Sequence, residues 1–226
     1  VRYAADRVLD VFLTEAARDR HSGIWEEARA AGLYVHLASE RVMAAMSADS
    51  QGVLAVVAMD EAAGPRALAA ALSGAMLVVV LTEAQDPGNA GAIIRAADAA
   101  GADAVVLLRG SVDATSPKVV RSSAGSLFHL PVVTGVTLDD AVAALHEADL
   151  AVVAADSRGA LDLFDADAVL EGPVAWLLGN EARGLPPEAL SRADAVISIP
   201  VRGRAESLNV AAAAAVCLYA SARAQR

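Results

Sequence analysis

The chain has 226 residues, 56% of them hydrophobic, and a formal net charge of −10. That length holds one large or two small domains with a sizeable core, and the acidity argues against indiscriminate binding to polyanions. The longest apolar runs, such as 75–81, are strand-length and far short of a bilayer span. No basic, apolar, small-residue leader opens the chain. It begins Val-Arg-Tyr without Met, so we expect its natural start to lie upstream. Cys217 is the single cysteine, which excludes a disulfide framework and a multi-cysteine metal site. His21, His36 and His146 lack metal-ligand spacing, and His129 reads as structural, so no metal is expected. The expected compartment is the cytoplasm.

The first part reads as a small α/β unit. Residues 8–13 form a strand pattern, and Ser22 is placed to cap a helix through Ala31, which Gly32 would end. A second strand is expected over 33–37, a helix from Ser39 to about Met46, and a third strand over 52–59. Residues 60–75 read as a linker containing a short helix, which separates a domain over 1–59 from a larger one over 76–226.

Beyond the linker, apolar runs alternate with helical patterns. Strands are expected over 76–81, 104–108, 150–155, 174–178 and 195–199, with an extra one near 131–133. Helices are expected over 89–100, 117–124, 138–148, 187–192 and 207–222. Apolar strands separated by helices indicate a parallel sheet of the doubly wound type, buried on both faces. Ligands bind such sheets beyond the carboxyl ends of the strands, and three polar segments fall there.

The first segment is Glu83-Ala-Gln-Asp-Pro-Gly-Asn-Ala-Gly-Ala-Ile-Ile-Arg95. Pro87-Gly88 makes a turn, Asn89 can cap the next helix, and Arg95 lies roughly 9 Å further along its axis. The same residues would also suit a capped helix with a solvated Arg95. A dinucleotide fingerprint is a poor fit, because the G-x-G-x-x-G spacing is missing. The second segment, Leu177-Leu-Gly-Asn-Glu-Ala-Arg-Gly-Leu185, leaves its strand through Gly179 and turns at Gly184, and glycines there let backbone approach a ligand. The third, Ile199-Pro-Val-Arg-Gly-Arg-Ala-Glu-Ser-Leu-Asn209, crowds polar residues before an alanine-rich helix whose first N–H groups are free. A surface turn and an N-cap would explain Ser207 or Asn209, but not both together with Glu206. Ser116-Pro-Lys-Val-Val-Arg-Ser-Ser adds Lys118, Arg121 and Ser123 as a weaker candidate for phosphate contacts.

Taken together and in this order, the three segments resemble the signature motifs of the SpoU (TrmH-like) branch of the SPOUT methyltransferases, over about 76–222. Val201 and Ala211 depart from the family's frequent Met and Ser at those positions. The first sixty residues are similar, more weakly, to the family's L30e-like (ribosomal-protein-L30-like) substrate-recognition domain. The resemblance implies an α/β fold with a SPOUT-type parallel sheet, a C-terminal deep trefoil knot, and a homodimer with active sites near the subunit interface. It implies S-adenosyl-L-methionine as cofactor, held around Leu178, Gly179, Asn180, Gly184, Ile199 and Leu208. Asn89, Arg95, Glu181, Ser207 and Asn209 match the family's catalytic or substrate-positioning residues. Lys118, Arg121, Ser123, Arg202 and Arg204 are candidates for contact with RNA, though Arg202 and Arg204 suit a solvated surface equally well.

The implied reaction methylates a ribose 2′-hydroxyl of RNA, which is what separates RNA from DNA as partner. The expected target is 23S ribosomal RNA, with transfer RNA as the alternative. Arg95 could act as general base, or hold the neighbouring phosphate and stabilise charge on the oxygen; its high intrinsic pKa weighs against the first. A non-catalytic RNA-binding module on the same fold is the reading from another class, and five retained catalytic positions argue against it. A nicotinamide oxidoreductase is disfavoured by the absent fingerprint.

Overall fold

The computed structural model describes residues 5–58, 62–180 and 183–226. The chain forms two compact units, Val1–Asp60 and Glu61–Arg226. In the first, β1 (Val8–Leu13) is followed by α1 (Glu15–Arg20), α2 (Ser22–Ala30), β2 (Tyr34–Leu37), α3 (Glu40–Met46) and β3 (Val53–Val57). The central β1 pairs in parallel with β2 and antiparallel with β3. Val11, Leu13 and Ala28 form a small core with Ile24, Trp25 and Val35 around it. The Thr14 hydroxyl accepts from the Ala17 N–H and starts α1, a helix that periodicity did not indicate. Ser22 lies inside α2 rather than at its cap, whereas Ser39 caps α3 by accepting from Val42 N.

The second unit begins with α4 (Gly64–Ala71). The segment expected as a linker thus contributes to a core, because Leu68 and Leu72 are buried against Val78, Val80 and Leu145. There follow β4 (Leu77–Leu81), α5 (Pro87–Ala100), β5 (Ala104–Leu108), α6 (Pro117–Ser122), β6 (Val132–Val136), α7 (Leu138–Glu147) and β7 (Ala151–Ala155). Then come β8 (Leu161–Asp162), α8 (Asp167–Leu170), β9 (Val174–Leu178), α9 (Pro187–Arg192), β10 (Ala195–Ser198) and α10 (Val210–Ala224). The sheet runs β6-β5-β4-β9-β7-β10-β8, and its strand pairs are parallel. Strands β4, β5 and β9 are buried along their whole length, as their unbroken apolar sequences require of strands covered on both faces.

Helices cover the two faces. Val78 and Val80 share a cluster with Leu68 and Leu72 of α4 and with Leu145 of α7. Trp176 of β9 is fully buried and donates from Nε1 to Ser221 Oγ of α10 at 2.9 Å, which satisfies two buried polar groups at once. Truncating such a tryptophan costs about 3–5 kcal/mol. At Gly91 of α5 an added Cβ would lie 1.9 Å from Ser122 Oγ and 2.6 Å from the Val119 carbonyl, so α5 and α6 touch through their backbones.

Two helix starts in the second unit also differ from expectation. Helix α5 is capped by Asp86, whose carboxylate accepts from Asn89 N at 2.8 Å. That bond is the main reason its pKa falls below the ordinary value, and Pro87 suits the first helical turn. Asn89 is therefore inside the helix rather than at its cap. Helix α10 begins at Val210, not Ser207; Asn209 is its N-cap, accepting from Ala211 N at 2.9 Å and Ala212 N at 3.4 Å. No helix among the described residues is long and apolar enough to cross a membrane.

Candidate active site

Strand order brings the polar segments together. The sheet places β9 between β4 and β7, and β10 beside β7, so the carboxyl ends of β9, β7 and β10 open on one side, as parallel alignment demands. There a partly open cavity of about 190 Å³ is lined by Leu178, Gly179, Asn180 and Gly184, by Ile199 and Val201, and by Glu206, Ser207 and Leu208. Ala155, Asp156 and Ser157 from the end of β7, with Val210 and Ala213 of α10, complete the wall.

The loop after β9 can form only around glycine. A Cβ on Gly179 would lie 2.3 Å from the Gly184 carbonyl carbon and 2.4 Å from Leu185 N. Gly184 itself sits at φ +66°, in the left-handed region that side chains disfavour. Asn180 N donates to the Gly184 carbonyl at 3.1 Å, and Gly184 N to the Asn180 carbonyl at 2.8 Å. The loop is tied to the loop after β4. Asn180 Nδ2 donates to the Glu83 carbonyl at 3.1 Å, Arg183 pairs with the Glu83 carboxylate at 2.7 Å, and Thr82 Oγ1 donates to the Leu178 carbonyl at 3.2 Å.

Asn209 connects this cavity to α5. While its Oδ1 caps α10, its Nδ2 donates to Asn89 Oδ1 at 3.1 Å. Arg95 is exposed on α5 and is not among the described residues lining the cavity. No described side chain hydrogen-bonds or ion-pairs with it. Glu181 lies outside the described residues. Arg202 and Arg204 are exposed on the loop between β10 and α10.

The weaker phosphate candidates separate. Lys118 reaches the α5 cap, 3.6 Å from the Asp86 carboxylate, and Arg121 is exposed near the end of α6. Ser123 is fully buried and donates to the Val120 carbonyl at 2.8 Å, so its hydroxyl is not presented to RNA. His129 pairs through Nδ1 with Asp98 at 2.7 Å, a tie between α5 and the segment before β6. Among the described residues, no group of three or more His, Cys, Asp or Glu could hold a metal ion.

Comparison with known proteins agrees with this geometry. Residues 76–219 match the model of the SpoU rRNA Methylase family. The chain belongs to that family. A 23S rRNA (guanosine-2′-O-)-methyltransferase RlmB of Bordetella pertussis is 32% identical over 227 residues, spanning 99% of this chain and 92% of the relative. The crystal structure of the SpoU methyltransferase AviRb from Streptomyces viridochromogenes superposes with a TM-score of 0.84 at 28% identity, covering 99% of this chain and 86% of that one. An AdoMet-bound rRNA methyltransferase from Sinorhizobium meliloti gives 0.80 at 29% identity, over 99% and 85% of the respective chains.

Within this SpoU member, the six residues expected around a cofactor all line the cavity, and Ser207 joins them. Asn89 and Asn209 are bonded to each other beside it. Sequence reasoning missed Asp156 and Ser157. The available signal was positional: they follow the apolar run of β7, at the carboxyl end where parallel sheets bind ligands.

Proposed function

We propose that this protein transfers a methyl group from S-adenosylmethionine to a ribose 2′-hydroxyl of 23S ribosomal RNA. The observation that carries the reading is the cavity at the ends of β7, β9 and β10, built from the paired glycine loop and the segment before α10. Its character fits that cofactor: apolar Leu178, Ile199 and Leu208 suit an adenine, and the carboxylates of Asp156 and Glu206 suit a cation. When bound, the cofactor supplies a methyl group already attached to a good leaving group.

The protein's task is then to position the 2′-oxygen and support its loss of a proton. Asn209, fixed by its cap bonds and by Asn89, holds Ser207 and Leu208 at the cavity wall. Arg95 keeps its guanidinium charged and serves as an electrostatic clamp on the phosphate and on the developing oxyanion. Arg202 and Arg204 offer further phosphate contacts.

Arg95 stands outside the cavity lining of its own chain, which supports a homodimer in which one copy's Arg95 serves a shared site. Exposed Val216 and Tyr219 on α10 supply apolar surface for that contact. The passage of β9 between β4 and β7, followed by β10 and the return of α10 to α5, supports a C-terminal trefoil knot. The first unit would grip RNA as an L30e-like domain, consistent with a relative matching 99% of the chain. A ribosomal RNA substrate fits action in the cytoplasm.

Mapping 2′-O-methyl sites on total RNA, with and without the gene, tests the assignment. We expect one ribosomal position to lose its signal. Loss confined to transfer RNA would move the substrate to that class, and an unchanged map would contradict the catalytic reading.

A further inference from the structure

Asp156 is the feature of the cavity that the shared motifs leave unexplained. Its side chain is 7% exposed, whereas that of its partner Arg158 is 63% exposed. The pair is closed by three hydrogen bonds. Oδ1 accepts from Arg158 N at 3.0 Å and from Nε at 2.7 Å, and Oδ2 accepts from Nη2 at 2.9 Å. Each carboxylate oxygen has two lone pairs, so Oδ1 is saturated and Oδ2 keeps one. That oxygen faces the glycine loop, 3.9 Å from where a Cβ on Gly184 would stand. Arg158 also holds the carboxyl below its ordinary pKa, so the group stays ionised at neutral pH.

The rest of the lining sharpens the point. Among the described residues that form the cavity, Asp156 and Glu206 are the ionisable ones, and both are acidic. Arg158 is not among the described residues lining the cavity and its side chain is largely exposed, so on the cavity side it offsets the Asp156 charge only in part.

We propose that Asp156 recognises the charge state of the cofactor: Oδ2 accepts a hydrogen bond from the bound molecule, and the carboxylate favours S-adenosylmethionine over its demethylated product. S-adenosylmethionine carries a net positive charge through its sulfonium, and S-adenosylhomocysteine carries none. The wall therefore holds the reactant more firmly than the product and lets the product leave after transfer. This inference rests on the cofactor assignment above and adds a specificity-determining residue to it.

Calorimetric titration of the full chain with each compound tests the proposal. Asp156→Asn keeps the shape and removes the charge; it should weaken S-adenosylmethionine on the order of tenfold and S-adenosylhomocysteine markedly less. Arg158→Gln, at an exposed side chain, leaves the carboxylate less compensated and should raise the preference for the cationic compound. If Asp156→Asn does not fold, as judged by its denaturation midpoint, Arg158→Gln decides alone. Equal effects of Asp156→Asn on both compounds, no effect, or an unchanged or lower preference in Arg158→Gln overturns the inference while leaving the cofactor assignment intact. A wild-type protein that binds neither compound at millimolar concentration overturns the assignment itself, and the inference with it.

Discussion

Replacing Gly179 with alanine tests how the cavity is built. The new Cβ would stand 2.3 Å from the Gly184 carbonyl carbon, 2.4 Å from Leu185 N and 2.5 Å from the Gly184 oxygen. All three neighbours are backbone, so no side-chain rotation relieves the contact, and the two arms must part by about 1 Å to reach normal van der Waals separation. That movement stretches the two Asn180–Gly184 hydrogen bonds, now 3.1 and 2.8 Å. Overpacking costs about 1–3 kcal/mol and each weakened bond about 0.5–1.5 kcal/mol. With partial relaxation we expect a net loss of roughly 2–3 kcal/mol, a fall in Tm of about 4–12 °C. The protein still folds, but affinity for S-adenosylmethionine drops at least tenfold, by the order of one such distortion in a binding wall. Gly172→Ala, where an added Cβ meets nothing within 4 Å, is the matched control and should change neither quantity. Denaturation and calorimetry on both variants supply the readout. A Gly179→Ala protein with wild-type Tm and wild-type affinity would refute the close-approach reasoning.

Asn209 has two separable duties. Asn209→Ala loses the α10 cap, about 1 kcal/mol of stability, and the bond to Asn89. Asn209→Asp keeps the cap acceptor but cannot donate to Asn89 Oδ1, so denaturant melts should show near-native stability while methyl transfer falls strongly. Burial pushes the Cys217 thiol from 9.0 up to about 12. Below pH 9.0 this group costs nothing, and stability then declines as pH rises from 9.0 towards about 12, because the unfolded thiol loses its proton first. Titration with a thiol reagent at pH 8 should accordingly show no reaction until denaturant is added. Arg95→Ala should lose at least a hundredfold in transfer rate with unchanged cofactor affinity; weakened calorimetric binding would instead place Arg95 at the cofactor.

Much of this architecture was legible in the chain. Apolar runs such as Val174–Leu178 and Ala104–Leu108 match β9 and β5 to the residue, because a strand covered on both faces has no polar alternation to blur its ends. The order of those strands was not legible. Leu77–Leu81 and Val174–Leu178 are interchangeable apolar segments, and their adjacency in the sheet arises from long-range packing. Helix starts failed where two capping residues competed. Asp86 lies three residues before Asn89, and Asn209 two after Ser207; in each case the backbone chose the residue whose carbonyl or carboxylate oxygen reached the free N–H groups. The glycine loop and residues 199–209 stood out as polar segments beside apolar runs, whereas which of their residues would hold a cofactor came from the family resemblance. Asp156 was not, because an Asp and an Arg two residues apart look like a surface ion pair until burial separates them.

The atom that receives the methyl group can be identified directly. Incubating the purified protein with unmodified 23S ribosomal RNA and methyl-labelled S-adenosylmethionine, then hydrolysing the RNA with alkali, identifies it. A 2′-O-methyl ribose cannot assist cleavage of its own phosphodiester, so label is expected in alkali-resistant dinucleotides. Label released in mononucleotides would mean base methylation and would contradict transfer to the 2′-oxygen.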